Sequence, residues 1–145
     1  MTDWKTNLIT DSRGIADMIR DTKTIAVLGI KPETRDSQPA FYVPEHMARA
    51  GYEIIPVPVY YPEVTEILGK PVFRTLASIG RPIDMVNVFR RTADIPPHVD
   101  DILAAKPKYV WLQLGIRNDE ASRLLAEAGI KVVQDRCLMV EEGQI

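Results

Sequence analysis

Residues able to do covalent or metal chemistry are scarce in this chain of 145: there is one cysteine, Cys137, and there are two histidines, His46 and His98. A lone cysteine cannot close an internal disulfide and fits a reducing compartment, and with two histidines it is poor material for a zinc site. No apolar run approaches the ~20 residues that cross a bilayer. The first residues, Met-Thr-Asp-Trp-Lys-Thr-Asn, lack the apolar core of a secretory signal, so a cytoplasmic protein is expected. An excess of one charge is missing too: 18 basic against 20 acidic side chains leave a net charge of -2. That balance offers no broad attraction to nucleic acid or to an anionic membrane, so any anion site must be local. Glycine-rich nucleotide loops are absent as well. Gly29 is the only glycine between Gly14 and Gly51, so there is no G-x-G-x-x-G, and no Gly-Lys-Ser/Thr makes a P-loop. The acidic residue that would hold an NAD ribose is missing where Val57-Pro58-Val59-Tyr60 closes the second apolar stretch.

What is present is a repeated strand, turn and helix grammar. Residues 1–22 form a lead-in, with Ile15, Met18 and Ile19 at helical spacing behind Asp11 or Ser12 as cap. Strand one, 24–28, is rich in β-branched residues and ends at Gly29, where a missing Cβ would let a ligand approach the backbone. Pro39 suits a first helical position, and a helix is expected over 39–50 with Gly51 as its stop. Strand two covers 52–57, and the proline-rich 58–62 makes a rigid loop after it. A short connection with a one-turn helix near 75–79 leads to strand three, 83–89. Asp94 or the pair Pro96-Pro97 opens a helix to Ala105, followed by strand four, 108–114. Asn118 caps a helix that Gly129 stops, and strand five is 130–133; the tail 137–142 has no assigned type. This alternation predicts one Rossmann-like α/β domain over 1–145, a doubly wound, mainly parallel sheet of about five strands with helices on both faces. Its ligand should lie at the carboxyl ends of the strands, where Lys31, Arg35, Arg90 and Arg91 could meet phosphate.

Five segments, in order, carry a family resemblance: Ala-Val-Leu-Gly29-Ile with Gln38-Pro39-Ala-Phe-Tyr42-Val43; 51–57; 83–90; Val110-Trp-Leu-Gln113-Leu-Gly115-Ile; and 135–141. The sequence resembles the small stand-alone CoA-binding proteins, which are similar to the N-terminal CoA-binding domain of the succinyl-CoA synthetase α-subunit. The resemblance implies that coenzyme A or a short acyl-CoA lies across the strand ends. Gly29, Ile30 and Lys31, with Gln38, Pro39 and Ala40, would meet its pyrophosphate. Pro58 and Tyr60 would flank the adenosine, and Phe89, Arg90, Gln113 and Gly115 would line the remaining length. Relatives often carry a hydroxyl residue where Ala40 stands and an asparagine where Pro58 stands. The 145 residues hold no counterpart of the synthetase's phosphohistidine domain, so no ligase activity is expected of them.

The expected role is therefore to carry, sense or present the ligand to a protein partner of unspecified identity. A small NAD(P)-dependent oxidoreductase and an interaction module with a vestigial crevice are the alternatives. His46 and His98 are expected away from the crevice, as surface or partly buried histidines. Cys137 is expected to be a small buried thiol, with a mixed disulfide to CoA as a narrower hypothesis. Gln113, on an otherwise apolar strand, must bond to backbone, to ligand or to both.

Overall fold

The computed structural model describes residues 3–145. In chain order it runs α1 (Ser12–Asp21), β1 (Thr24–Leu28), α2 (Pro39–Arg49), β2 (Glu53–Val57), β3 (Glu66–Ile67) and β4 (Lys70–Pro71). Then come β5 (Met85–Val88), α3 (Val99–Ala105), β6 (Tyr109–Leu112), α4 (Asp119–Glu127), β7 (Lys131–Val133) and α5 (Leu138–Glu142). Caps read from the sequence are in place: Asp11 Oδ2 accepts from Gly14 N at 2.9 Å, and Asn118 Oδ1 from Ala121 N at 2.9 Å.

The strands are short apolar runs with no polar side to offer water, so they pair in parallel and are covered on both faces. Their order is β2-β1-β5-β6-β7, and each neighbouring pair is parallel. On one face Ile25, Val27, Met85 and Trp111 pack with Ile15 and Ile19 of α1, Phe41 and Met47 of α2, and Leu138 of α5. On the other, Ala26, Leu28, Val86 and Leu112 pack with Ile102 of α3 and Leu125 of α4. The chain therefore steps outward from β1 to β2, returns past β1 to β5, and places its next helices on the opposite face. Where the winding reverses, between β1 and β5, the connections leave the sheet in opposite directions and open a crevice at the carboxyl ends. Among the described residues no helix is long and apolar enough to cross a membrane.

The connection 66–79 differs from the expected short link. β3 and β4 form a small antiparallel hairpin turned by Leu68 and Gly69, both with positive φ (+54° and +71°), before a 3-10 turn at Ala77–Ile79. Leu68 N–H donates to Glu33 Oε2 at 2.8 Å, tying the hairpin to the loop after β1. Leucine is an unusual residue at such a turn, so its sequence carries little hairpin signal. The fourth strand is shorter than 108–114 because the chain turns away at Gly115, φ +83°. The tail is the short helix α5, joined to α2 by His46 Nε2 and Glu142 Oε1 at 2.9 Å.

At the opposite end of the sheet Tyr109 donates its hydroxyl to Asp21 Oδ2 at 2.5 Å. Burial first, and then this bond, push the phenol up to about 12. A raised value in the folded state means that the stability from this group is full below pH 10, its ordinary value, and is lost as pH climbs from 10 toward 12. In an alkaline titration followed by phenolate absorbance, the Tyr109→Phe variant should lack the component that ionises last. Its stability should also fall less steeply than the wild type's across that interval.

Candidate functional site

Gly29, at the end of β1, is demanded by the chain itself. It takes φ +90°, and a Cβ there would stand 2.4 Å from the backbone oxygen of Phe89. The space expected for a ligand against this Cα is thus filled by the end of β5. Two backbone bonds seal the junction: Gly29 N–H donates to Val57 O at 2.9 Å and Phe89 N–H to Leu28 O at 2.8 Å. Three strand ends are drawn together beneath the crevice.

Above them lie two adjoining cavities that share Lys31, Phe89, Arg90 and Arg91. The first, about 240 Å³, lies over β1, β2 and β5, and is bounded by Gly29, Ile30, Val59, Tyr60 and Tyr61 as well. The second, about 400 Å³, lies over β5, β6 and the start of α2. Gln38, Pro39 and Ala40 form one wall of it, and Gln113, Leu114, Gly115 and Ile116 the other. The structure thus brings together all of the sequence-derived candidates except Arg35 and Pro58. Arg35 is exposed on the 3-10 turn Glu33–Arg35 and reaches neither cavity. Pro58 is buried beneath the loop, and its neighbours Val59 and Tyr61 take the lining position.

The middle of the groove suits an anion. Pro39 opens α2 without an N–H, and Phe41 and Tyr42 both donate to Gln38 O, at 2.9 and 3.0 Å. Among the described residues the amides of Ile30 and Ala40 have no partner, and both belong to residues that line the groove. Lys31 Nζ donates to Gln38 Oε1, which holds the ammonium at the helix start. Free amides at a helix N-terminus beside a cation are a ready phosphate site.

Arg90 is the best-held of the cations, with a side chain only 14% exposed. Its Nε donates to His98 Nε2 at 3.2 Å, one terminal nitrogen lies 3.9 Å from Asp94 Oδ2, and its guanidinium carbon stands 5.3 Å from the Tyr60 ring centre. His98 is partly buried and lines neither cavity, in keeping with its expected place away from the crevice, but it supports a residue that does line it. The 3-10 turns Thr92–Asp94 and Pro96–His98 fold the chain back, so that a residue at the foot of α3 supports one at the end of β5. Burial first, and then the neighbouring guanidinium, lower the His98 value below 6.5, while Asp101 and Asp94 pull weakly the other way. The neutral ring is the form that accepts from Arg90. Arg91, 85% exposed, pairs with Asp94 at 3.0 Å and overhangs the groove.

Arg74 shapes the crevice from outside. It donates to the carbonyls of Tyr60, Tyr61, Pro62 and Val64 at 3.2, 3.1, 3.4 and 2.6 Å, fixing the loop that carries the aromatic wall. Spacing gave no signal for Arg74 or His98, since each works through a turn that sequence periodicity does not register. Cys137, half-buried at the start of α5, lines neither cavity.

Comparison with known proteins follows the same lines. The uncharacterized protein YneT of Bacillus subtilis (strain 168) is 37% identical over 126 residues, covering 87% of this chain and 90% of that one. The structure of cell-free ID.343 from Thermus thermophilus superposes with a TM-score of 0.84 at 38% identity, over 93% of this chain and 98% of its own. A hypothetical protein from Pyrococcus horikoshii OT3 gives 0.83 at 27% identity, over 93% and 92% of the two chains. Residues 23–143 match the model described as "CoA binding domain", and the chain belongs to that family.

Proposed function

We propose that the chain binds coenzyme A or a short acyl-CoA along this groove and does no chemistry on it, acting as a carrier or sensor that presents the ligand to a protein partner. The observation that carries the reading is a groove charged in the middle and different at its two ends. Free amides of Ile30 and Ala40 with Lys31 and Arg90 suit phosphates. The Val59–Tyr61 side, with an aromatic ring on a guanidinium, suits a purine. The side bounded by Leu114, Gly115 and Ile116 suits an uncharged chain. A non-catalytic role is supported by the uses of the reactive side chains: His98 spends Nε2 on Arg90, and Cys137 lies outside the lining. Membership of the CoA binding domain family points to the same ligand.

Calorimetric titration of nucleotide-free protein with CoA and acetyl-CoA, alongside NAD and NADP, tests this. Micromolar binding of CoA, about −8 kcal/mol, unmatched by the dinucleotides, is expected. Heat from NAD or NADP alone would move the reading to an oxidoreductase. Silence from all four, with capture of a protein partner, would mark the groove as vestigial.

A further inference from the structure

Gln113 stands where β6 leaves the sheet, 3% exposed, on the side of the sheet that faces α5. Two donors converge on its side-chain oxygen. Asn87 Nδ2 reaches it at 3.4 Å while also donating to Trp111 O at 3.3 Å, and Leu138 N–H, in the first turn of α5, reaches it at 3.3 Å. Those bonds decide which end of the carboxamide is oxygen, because neither Asn87 Nδ2 nor a backbone N–H could donate to the amide nitrogen. They also lock its orientation from a neighbouring strand, β5, and a helix, α5. The nitrogen, Nε2, then points away from both donors and has no acceptor among the described residues.

Nε2 is not enclosed. Among the described residues Ser122 Oγ is the only enclosed side-chain polar atom without a partner. The free N–H of Gln113 therefore opens into the cavity that its residue lines. The cavity also carries Lys31, Arg90 and Arg91, but Gln113 offers it an uncharged donor whose orientation is fixed. An occupant that covers it with hydrocarbon leaves a buried N–H unpaired, whereas one that brings a carbonyl oxygen does not. Sites built this way discriminate strongly, because the penalty falls on the wrong ligand.

The geometry points to Gln113 as a specificity-determining residue that donates from Nε2 to an amide carbonyl of the ligand's pantetheine arm. This rests on the CoA reading above and adds to it: the far cavity selects an arm that carries secondary amides, rather than any thin apolar chain. Asn87 and the first turn of α5 act as positioning groups for that donor.

The test compares CoA with adenosine 3′,5′-bisphosphate, which has the adenosine, the 3′-phosphate and one of the two 5′ phosphates of CoA and no arm. Gln113→Glu keeps an oxygen for Asn87 and Leu138 and exchanges the free donor for an acceptor; Gln113→Met removes the donor without adding charge. Each variant is expected to bind CoA about tenfold or more weakly while its affinity for the bisphosphate changes less than twofold. Unchanged bisphosphate binding also shows that the groove is still folded. Should either substitution prevent folding, the wild-type protein supplies a second readout: the side-chain NH2 resonances of Gln113 should move on adding CoA and stay put on adding the bisphosphate. Equal losses for both ligands, no loss for CoA, or resonances that respond alike would overturn the assignment and leave CoA binding standing. Wild-type protein that takes neither ligand would overturn both.

Discussion

Alanine at position 29 is expected to destabilise the fold by about 3–5 kcal/mol, lowering the thermal midpoint by roughly 10 °C or more for a chain of this size. Two penalties combine there. The first is conformational, since φ +90° is a region that L side chains rarely adopt. The second is steric: the new methyl would stand 2.4 Å from Phe89 O and 3.2 Å from Arg90 Cδ. The arginine stem can move aside, but the carbonyl belongs to a segment held by Phe89 N–H on Leu28 O at 2.8 Å. Gly115→Ala provides the control. Gly115 also has positive φ, +83°, but nothing lies within 4 Å of its Cβ position, so only the conformational cost of about 1–2 kcal/mol should appear. Urea unfolding of the two variants against wild type would isolate the steric part. A cost for Gly29→Ala no greater than that of Gly115→Ala would mean that the Phe89 carbonyl yields, and that the floor of the groove is not the rigid junction described.

The elements that repeat a simple rule were legible in the sequence. Runs such as Ile25 to Leu28 and Val110 to Leu112 have no polar face, which argues for a parallel sheet covered on both sides. Pro39 as first helical residue and Asn118 as cap mark helix starts by local chemistry alone. Elements that depend on distant parts of the chain were less legible. β3 and β4 are two residues each, and Phe73 N–H on Pro56 O at 2.9 Å helps hold the return segment against β2. In the groove, strand ends pointed to Lys31, Phe89 and Gln113, because residues that leave a parallel sheet at its carboxyl edge beside the switch point lie close to the crevice. Arg35 lies outside the cavity linings because it is exposed on its turn, and Pro58 because the loop's own packing buries it. The sequence also showed that Gln113 must be paired. Which of its two polar atoms stays free is decided by Asn87 and α5, 26 and 25 residues away.

Removing the guanidinium of Arg90 should weaken CoA binding by about 10- to 100-fold, the scale of one lost charge-assisted bond of about 1.5–3 kcal/mol. Its Nε is held by His98 and its plane lies near the Tyr60 ring, so its terminal nitrogens are delivered to the groove with little freedom to lose. Arg90→Lys, which keeps the charge but neither the fork nor the stacking plane, should fall between wild type and alanine. The same contact makes an outcome visible without any ligand. The guanidinium is the second cause of the lowered His98 value after burial, so Arg90→Ala should move the imidazole titration, followed by NMR, upward toward 6.5. The sign for stability follows from the direction of the shift. With the folded value lowered, the neutral ring's contribution is full above pH 6.5 and is lost as pH falls below it, through the folded value, because the unfolded chain then binds the extra proton more readily. Protonation would also end acceptance from Arg90 Nε and set two cations 3.2 Å apart, so acid should loosen Arg90 in the wild type. The alanine variant has no guanidinium to loosen, and its stability should depend less on pH in that window. An imidazole titration unmoved by Arg90→Ala would sever the link between His98 and the groove, and the pH dependence of binding would then have to come from the ligand's own phosphates.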